Sequence, residues 1–537
     1  MGPYDPHCGE YTFLAPPLGV WRLAGVLETA GLRAQVFDPN CCEGTPEAAF
    51  EKVLRQRPWD VIGVSTTGMT LRYDLALAHL ARRVVPQALI CAGGMEATFK
   101  PELMFRLGPF DLVMLGEGEL PLLELAACLA QQGDLRNVPG TAVWVEGRLR
   151  QHHRLAMNQP QLRDAILCTP YEKMPYRAYW DKLEQAYRVG ALPVKADREA
   201  RLAEIRSVRL ITLNYCPMAC SFCSSTNFLH AAQGSVAAIG RLEPEECLAI
   251  MRRIVNALPE LRTIIFQDDI FVFTKDRRIL PLCQAIVDAK ARGELPRELQ
   301  FISTNRIDAM TVERLAAMRR AGFRVLGFGV ESFSRKILTE FNKGQVYQHI
   351  EPVLRTALDL GITPFLDLIL TSPRCSLGDL AETIRQAYHW LLAGCEMGMY
   401  PYVIPFSGAA MANDPELQPY TVFARRQVDG TTVAWDQPAK ILPMDPVVRE
   451  AILEIEQAFE TLLADLEGRG AHLPSRVRSL IWTLCSSQVL ARLGQDVPDP
   501  NRVYTELLIR LPSLDNISPG DRSWLGTRSH GRLALNT

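Results

Sequence analysis

Between residues 10 and 125 the chain alternates short apolar runs with amphipathic stretches. "YTFLAPPLG" leads into "VWRLAGVLETAG", where apolar positions 20, 23, 24 and 27 recur at helical spacing and Gly31 closes the helix. "RAQVFD" predicts a strand ending at Asp38, "DVIGVSTTG" a second, "ALICAGG" a third and "DLVMLGEGE" a fourth. "TLRYDLALAHLARRVV" and "LPLLELAACLAQQG" read as helices between and after them, and "TAVWVEGRLRQ" as a closing hairpin. This alternation predicts an α/β unit over 1–151 built on a doubly wound, Rossmann-like parallel sheet. Ligands in such sheets sit beyond the carboxyl ends of the strands. Those ends are "APPLG", "STTGMT", "AGGMEAT" and "GEGE", mostly rich in residues that let backbone approach a ligand.

Residues 152–206 lose the alternation. They are rich in proline and charge ("MNQPQL", "LPVKADREARLAEIR") and read as a linker with some helix. A second alternation begins at 207. Its strands are "VRLITLNYC", "TIIFQDD", "LQFISTNR", "RVLGFGVES", "TPFLDLILTSP" and "MGMYPYVIPF", separated by stretches of helical periodicity. Five or six consecutive βα units predict a full or partial (β/α) barrel over 207–425, with its chemistry at the C-terminal mouths of the strands. From 426 to 537 the pattern predicts a C-terminal helical domain. One long helix starts near Asp445, a second covers "PSRVRSLIWTLCSSQVLARLG", and the last 20 residues read as a loose tail. No repeat of solenoid type interrupts this order.

Composition changes this picture little. The 58 Lys and Arg balance 60 Asp and Glu, a net charge of −2, which gives no electrostatic footprint for nucleic acid or anionic membrane. No apolar run reaches about 18 residues, so no transmembrane segment is expected, and the start does not read as a signal peptide. Eleven of the 14 cysteines are scattered without a disulfide rhythm, which points to the reducing cytoplasm. The adjacent pair Cys41–Cys42 reads as a loop feature, since neighbouring cysteines bridge poorly.

The other three cysteines change the picture. "LNYCPMACSFCSS" places Cys216, Cys220 and Cys223 at C-x3-C-x2-C, just after the first barrel strand. Closely spaced cysteine thiolates hold iron–sulfur clusters. Three ligands leave one position open, as a catalytic metal site requires. Zinc would need a fourth ligand, and only His230 stands in the neighbourhood.

This triplet at the mouth of a β/α barrel resembles the radical S-adenosylmethionine (SAM) enzymes. The aromatic residue that usually precedes the third cysteine is Phe222 here. "IIFQDDIFVF" resembles the segment that holds the SAM amino group, which points to Asp268 and Asp269. "STNRID" resembles the next polar strand end and offers Ser303, Asn305 and Arg306 to the ribose and carboxylate. "FGVESFS", followed by "NKG", is similar to the strand-end glutamate segment and gives Glu331. "LDLILTSPRCS" resembles the strand near the adenine, with Thr371 where a glycine is usual. The N-terminal unit resembles the cobalamin-binding domain of one large subclass. That resemblance places Ser65, Thr66 and Met69 toward cobalt's lower face. It also puts Gly93, Gly94 and the turn Gly116-Glu117-Gly118 along the cofactor, with Glu117 and Glu119 shaping their turn. There is no D-x-H-x-x-G motif to supply a histidine to cobalt, an absence common in this subclass.

The resemblance implies three cofactors: a 4Fe–4S cluster on Cys216, Cys220 and Cys223, SAM on its open iron, and cobalamin. It also implies an electron donor such as flavodoxin or ferredoxin. Reductive cleavage of SAM would give a 5′-deoxyadenosyl radical that removes hydrogen from an unactivated carbon, and methylcobalamin would methylate that carbon. A second SAM would restore the methyl group on cobalamin. The expected protein is a monomeric cytoplasmic methyltransferase acting on a small molecule, a lipid or a peptide. Two alternatives stay open: a cyclase, ring-contracting or oxidative enzyme with the same cofactors, and a non-catalytic cobalamin or redox sensor. "YPYVIPFSGAAM", Trp390, Trp435 and Trp482 line an apolar site or belong to the core.

Overall fold

A computed structural model describes residues 1–4, 15–189, 202–203, 205–234, 238–468, 473 and 475–510. Two parallel sheets organise them. In the first, β1 (Val61–Ser65), β2 (Leu89–Gly93) and β3 (Leu112–Met114) run parallel. The hairpin of β4 (Thr141–Val145) and β5 (Arg148–His152) adds antiparallel, in the order β1-β2-β3-β4-β5. Apolar strand residues such as Ile62, Val64, Ile90 and Val113 are buried under flanking helices. The helix Leu71–Val84 contributes Leu75, Leu77, Ala78 and Ala81 to that core at helical spacing.

The expected strand "RAQVFD" is extended but does not join the sheet. Residues 1 and 2 lie between it and β1. The Met1 amine donates to the Gly63 carbonyl (2.7 Å), Ser65 N–H donates to Met1 (3.1 Å), and Gly2 N–H donates to Phe37 (3.0 Å). Pro3 follows without an N–H, so the ladder stops there. The segment "YTFL" of the first apolar run falls outside the described residues; the helix after it is Leu18–Thr29.

The second sheet contains β6 (Ser207–Leu210), β7 (Thr263–Phe266), β8 (Gln300–Asn305), β9 (Phe323–Glu331), β10 (Thr363–Ile369) and β11 (Glu396–Tyr400). They pair in parallel and in chain order, a partial barrel of six strands. Helices Pro244–Ala257, Ile279–Ala291, Val312–Ala321, Ile350–Asp359 and Leu377–Ala393 connect them, where the periodicity places them. Phe266, Phe271, Phe301 and Phe323 stack at the centre, with ring centroids 4.1–6.0 Å apart.

An open parallel sheet leaves two edges of unpaired backbone. Both are closed by side chains from outside the barrel. At β6, Trp180 Nε1 donates to the Ser207 carbonyl (3.0 Å), and Arg209 N–H donates to the Tyr176 hydroxyl (3.3 Å). At β11, the Ser475 and Ser479 hydroxyls donate to the Met397 carbonyl (3.1 and 2.9 Å). Residues read as a linker thus bury Leu162, Ile166, Tyr171, Tyr176 and Trp180 in the barrel's own core. Most of "LPVKADREARLAEIR" lies outside the described residues.

The C-terminal region is less uniformly helical than its pattern suggests. It begins with a hairpin of β12 (Thr421–Gln427) and β13 (Ala434–Ile441), which the periodicity does not reveal. Its tip packs Val428 and Trp435 into the core of the first sheet, while Ile441 at its base packs with Val403 beside the barrel. The hairpin therefore spans both units. The two expected helices are Pro446–Gly468 and Ser475–Arg492, and a third follows at Pro500–Arg510. The expected tail lies outside the described residues. Trp390, Trp435 and Trp482 are all core, with Trp482 stacked on Phe459 at 4.0 Å.

Candidate functional site

The cysteine loop leaves the end of β6, and its backbone is pinned from several sides. The Thr226 hydroxyl donates to the carbonyls of Cys216 (2.9 Å) and Met218. The Ser221 hydroxyl and N–H donate to Glu340 and Phe341 (both 2.9 Å), and Met411 N–H donates to Ser221 (2.9 Å). Asn342 Nδ2 reaches the Ala219 carbonyl at 2.8 Å. The three thiols are unbridged and half-buried. Burial pushes the Cys216 thiol up to about 12, and the nearby Asp269 carboxylate adds to this. Burial raises Cys220 as well, opposed by Lys343 and Arg306. Phe222 is a wedge for this loop: its ring packs on Phe341 at 4.9 Å.

Adjacent strand ends bring charge to the thiols. Arg306, after β8, is buried and bidentate to Asp308 (2.8 Å each), and it donates to the Lys343 carbonyl at 3.0 Å. Glu331 ends β9 with φ +64°, a left-handed conformation uncommon for a side chain of this kind. It pairs with Lys343 Nζ at 2.7 Å, and both are nearly buried. Such strain persists where the surroundings over-determine it, and functional sites are common places for it.

Three of the residues expected at this mouth are occupied elsewhere. Asp268 is buried and accepts from Thr212 N–H (2.6 Å), the Thr212 hydroxyl (2.8 Å) and Leu213 N–H (2.7 Å). Its carboxylate ties the end of β6 to β7, and burial still pushes it up to about 6. Asn305 Nδ2 donates to the Ser303 hydroxyl and carbonyl (3.0 Å each), so this buried pair satisfies itself. Asp269, by contrast, is exposed, lies near Cys216 and hydrogen-bonds to the Ser225 side chain.

Three residues join that the sequence reading did not single out. Lys343 stands in the quoted "NKG" and balances Glu331. Asp367 is the one acid inside the apolar strand β10. Burial pushes its carboxyl up to about 7, and the Glu331 charge adds to this. Tyr400, at the end of β11, converges with it: a Cβ on Gly398 would lie 3.2 Å from Asp367 Oδ1 and 3.3 Å from Tyr400 Oη. The charge-in-an-apolar-strand pattern was available as a sequence cue.

The first sheet faces this mouth with different chemistry. Thr66 is fully buried and its hydroxyl donates to the Gly93 carbonyl at 3.0 Å. Gly94 has φ +100°, and a Cβ there would lie 2.5 Å from the Thr66 carbonyl oxygen. Ser65 ends β1, and Met69 beyond it is 77% exposed. Glu96 crosses to the Ser407 hydroxyl (2.8 Å), and Gln437 of β13 donates to the Gly68 carbonyl (2.5 Å). These links hold the loops after β1 and β2 beside the "YPYVIPFSGAAM" segment, whose Tyr400, Ile404 and Phe406 are exposed.

Gly116, Glu117 and Gly118 do other work. Gly116 (φ +72°) meets the barrel helix Ser225–Gln233, where any Cβ would collide with the Ala232 methyl. Glu117 accepts from Met157 N–H at 3.0 Å and is pushed up to about 7 by burial and by Glu119. Gly118 lies against Leu23, and Glu119 pairs with the buried Arg22. The end of β3 is thus a docking contact between the two units.

The donor set fits the implied groups. Three thiols next to two buried cations suit an anionic iron–sulfur cluster with one open position. His230, the candidate fourth ligand for zinc, packs edge-on against Tyr215 at 5.7 Å. Among the described residues no three His, Cys, Asp or Glu side chains gather around one ion. The uncharged, glycine-bearing loops after β1 and β2 suit close approach of a large neutral macrocycle such as cobalamin. No helix among the described residues is long and apolar enough to cross a membrane.

Comparisons with known proteins agree. A B12-binding domain model matches residues 6–126, and a radical SAM superfamily model matches residues 210–387. An uncharacterized methyltransferase of Pyrococcus horikoshii is 25% identical over 378 residues, covering 69% of this chain and 73% of its own length. The anaerobic magnesium-protoporphyrin IX monomethyl ester cyclase of Cereibacter sphaeroides is 23% identical over 384 residues, 70% of this chain and 56% of the cyclase. Among solved structures, the radical SAM methyltransferase TsrM of Kitasatospora setae, with tryptophan and a SAM analog bound, superposes with a TM-score of 0.63. It has 14% identity over 95% of this chain and 98% of its own. A second TsrM structure holds cobalamin and a [4Fe-4S] cluster.

Proposed function

Because the chain belongs to the cobalamin-dependent radical SAM enzymes, we propose that it is a methyltransferase that methylates an unactivated carbon of a small-molecule, lipid or peptide substrate. One observation supports this reading: the three-thiol loop and the glycine-bearing loop after β2 both fasten to the segment after β11, through Met411 N–H to Ser221 and Ser407 to Glu96, while Gln437 ties the loop after β1 to the hairpin. In this reading residues 1–151 carry cobalamin and 207–425 carry the cluster and SAM, while 152–206 and 426–537 enclose them. Bound there, the cluster and SAM supply radical chemistry and cobalamin supplies the methyl group.

The chain's own residues position and shield. Cys216, Cys220 and Cys223 hold the iron, and Lys343 and Arg306 offset the charge of their thiolates. Asp269 and Glu331 stand ready to accept from the donors of SAM, with Asp367 and Tyr400 as further polar contacts. Asp268, Ser303 and Asn305 fix the strand ends that carry these groups. Met69, Tyr400, Ile404 and Phe406 supply apolar surface that keeps water from the reacting atoms.

The cyclase relative favours a second reading, with the same cofactors and an oxidative ring closure in place of methyl transfer. Anaerobic reconstitution, followed by iron and cobalt assays on one sample, tests the shared part. About four iron and one cobalt per chain are expected, and Cys220→Ala should lose the iron and form no 5′-deoxyadenosine. A Cys220→Ala protein that still makes deoxyadenosine would overturn the assignment. Methyl-labelled SAM separates the readings: label in the product supports the methyltransferase, and an unlabelled product short of two hydrogens supports the cyclase.

A further inference from the structure

Strand β10 carries a single charge, and its neighbours keep room around it. Leu366 and Leu368 are buried in the core shared with the connecting helices, while Phe365, Asp367 and Ile369 alternate onto the opposite, partly exposed face. The residues level with Asp367 on both adjacent strands are glycines, Gly329 of β9 and Gly398 of β11. A Cβ on Gly398 would lie 3.2 Å from Asp367 Oδ1 and 3.3 Å from Tyr400 Oη. One on Gly329 would lie 2.5 Å from Glu331 Oε1 and 2.9 Å from Lys343 Nζ. The two glycines thus leave this level of the sheet to four polar groups. Two of them satisfy each other, Glu331 with Lys343 at 2.7 Å. The Asp367 carboxyl and the Tyr400 hydroxyl have no side-chain hydrogen bond or ion pair among the described residues. Two acids therefore share one ammonium, since Arg306 is committed to Asp308. Burial and the Glu331 charge push Asp367 up to about 7, as expected of a carboxyl without a cation of its own. Tyr400 is exposed, and so are Ile404 and Phe406 within the next six residues.

We propose that Asp367 and Tyr400 select the substrate, taking the ammonium of an amine whose apolar body lies along Ile404 and Phe406. The inference rests on the functional reading above and narrows its substrate to an apolar amine. In that reading Asp269 after β7 and Glu331 at the end of β9 serve SAM, which leaves the pair on β10 and β11 for the substrate. The ammonium donates to the Asp367 carboxylate and to the Tyr400 hydroxyl oxygen, and supplies the cation that Asp367 lacks. A neutral analogue of the same shape leaves that carboxylate without a charged partner, so the site discriminates by charge more than by size.

The test uses the full chain, reconstituted anaerobically with cluster and cobalamin and saturated with SAM. The probes are 2-phenylethylamine and 2-phenylethanol, which match in size and differ in charge. Their binding is measured by calorimetry at pH 8, where Asp367 is ionised and the amine still protonated. The wild type should bind the amine about tenfold more tightly than the alcohol. Asp367→Asn should remove that preference and leave the affinity for SAM unchanged. Tyr400→Phe should reduce the preference by a smaller factor, and with the wild type it decides the matter if Asp367→Asn takes up less iron. A wild type that binds the two probes equally, or neither, would overturn the inference. So would an Asp367→Asn chain that keeps the preference, or one that loses SAM affinity as much as amine affinity, which would assign Asp367 to SAM. A wild-type chain that takes up no iron would overturn the functional reading itself, and with it the inference.

Discussion

The two sheets end their strands in opposite chemistry. At the barrel mouth the strand ends carry charge in compensated pairs, Glu331 with Lys343 and Arg306 with Asp308. In the first sheet, the loops after β1 and β2 carry Gly93, Gly94 and the exposed Met69 over the buried Thr66, and the acid nearby, Glu96, is held by Ser407 and Lys100. Paired charge suits the holding of a charged amino acid moiety or an anionic cluster, and glycine suits close backbone approach to a large ring. The two faces therefore fail in different ways when altered.

The largest expected effect is at the charged face. Lys343→Gln leaves Glu331 nearly buried and unpaired, which should cost about 3–5 kcal/mol of stability. The double variant K343Q/E331Q removes both charges and should recover most of that loss in a denaturant melt, yet still bind SAM weakly. Full recovery of SAM binding would show that the pair is structural only. A smaller effect is expected in the first sheet. Gly94→Val forces a branched side chain into φ +100° and against the Thr66 carbonyl. That should cost roughly 1–3 kcal/mol and reduce bound cobalt while leaving iron unchanged. Loss of iron together with cobalt would break the comparison between the faces.

The third effect appears only as a dependence on pH. Asp367 holds its proton more tightly in the folded chain, with a value raised to about 7 from the ordinary 3.8. Between those values the folded state binds more protons than the unfolded one, so this group's contribution to stability falls as pH rises from about 4 to about 7. Asp367→Asn removes that slope. Without SAM, the melting temperature of the variant relative to wild type should climb across this window and level off above it. A difference that does not change with pH would mean that Asp367 titrates normally.

The parts legible in the sequence share one property: their cause is local. Strand β10 announces itself by its apolar run, and the cysteine loop by three thiols within eight residues. Helix Pro446–Gly468 is legible from its 3.6-residue period. The hairpin β12–β13 was not legible, because half of its reason for existing is the distant core that Trp435 and Val428 enter. "RAQVFD" has the composition of a strand, yet whether it pairs depends on what occupies the edge of β1. Asp268 and Asp269 are neighbours of one residue type, and nothing in the sequence says that one is buried on the backbone after β6 while the other is exposed near Cys216. Nor does the repeated glycine–glutamate turn after β3 reveal that it meets a barrel helix.

By itself the sequence determined the order of the units, the succession of five or six βα units in the barrel, the thiols that can hold iron and the class of chemistry they imply. Periodicity and short-range spacing are properties of consecutive residues, and they survive without knowledge of the fold. The tertiary structure alone decided which strand-end carboxylate is spent on the backbone, which is paired with Lys343, and which is exposed. It also decided that the loops after β1 and β2 are tied to Gln437 and Ser407 while the end of β3 docks the two units. Those outcomes depend on burial and on partners tens to hundreds of residues away, and a side chain's charge, hydrogen bonding and freedom to meet a ligand are set by those partners.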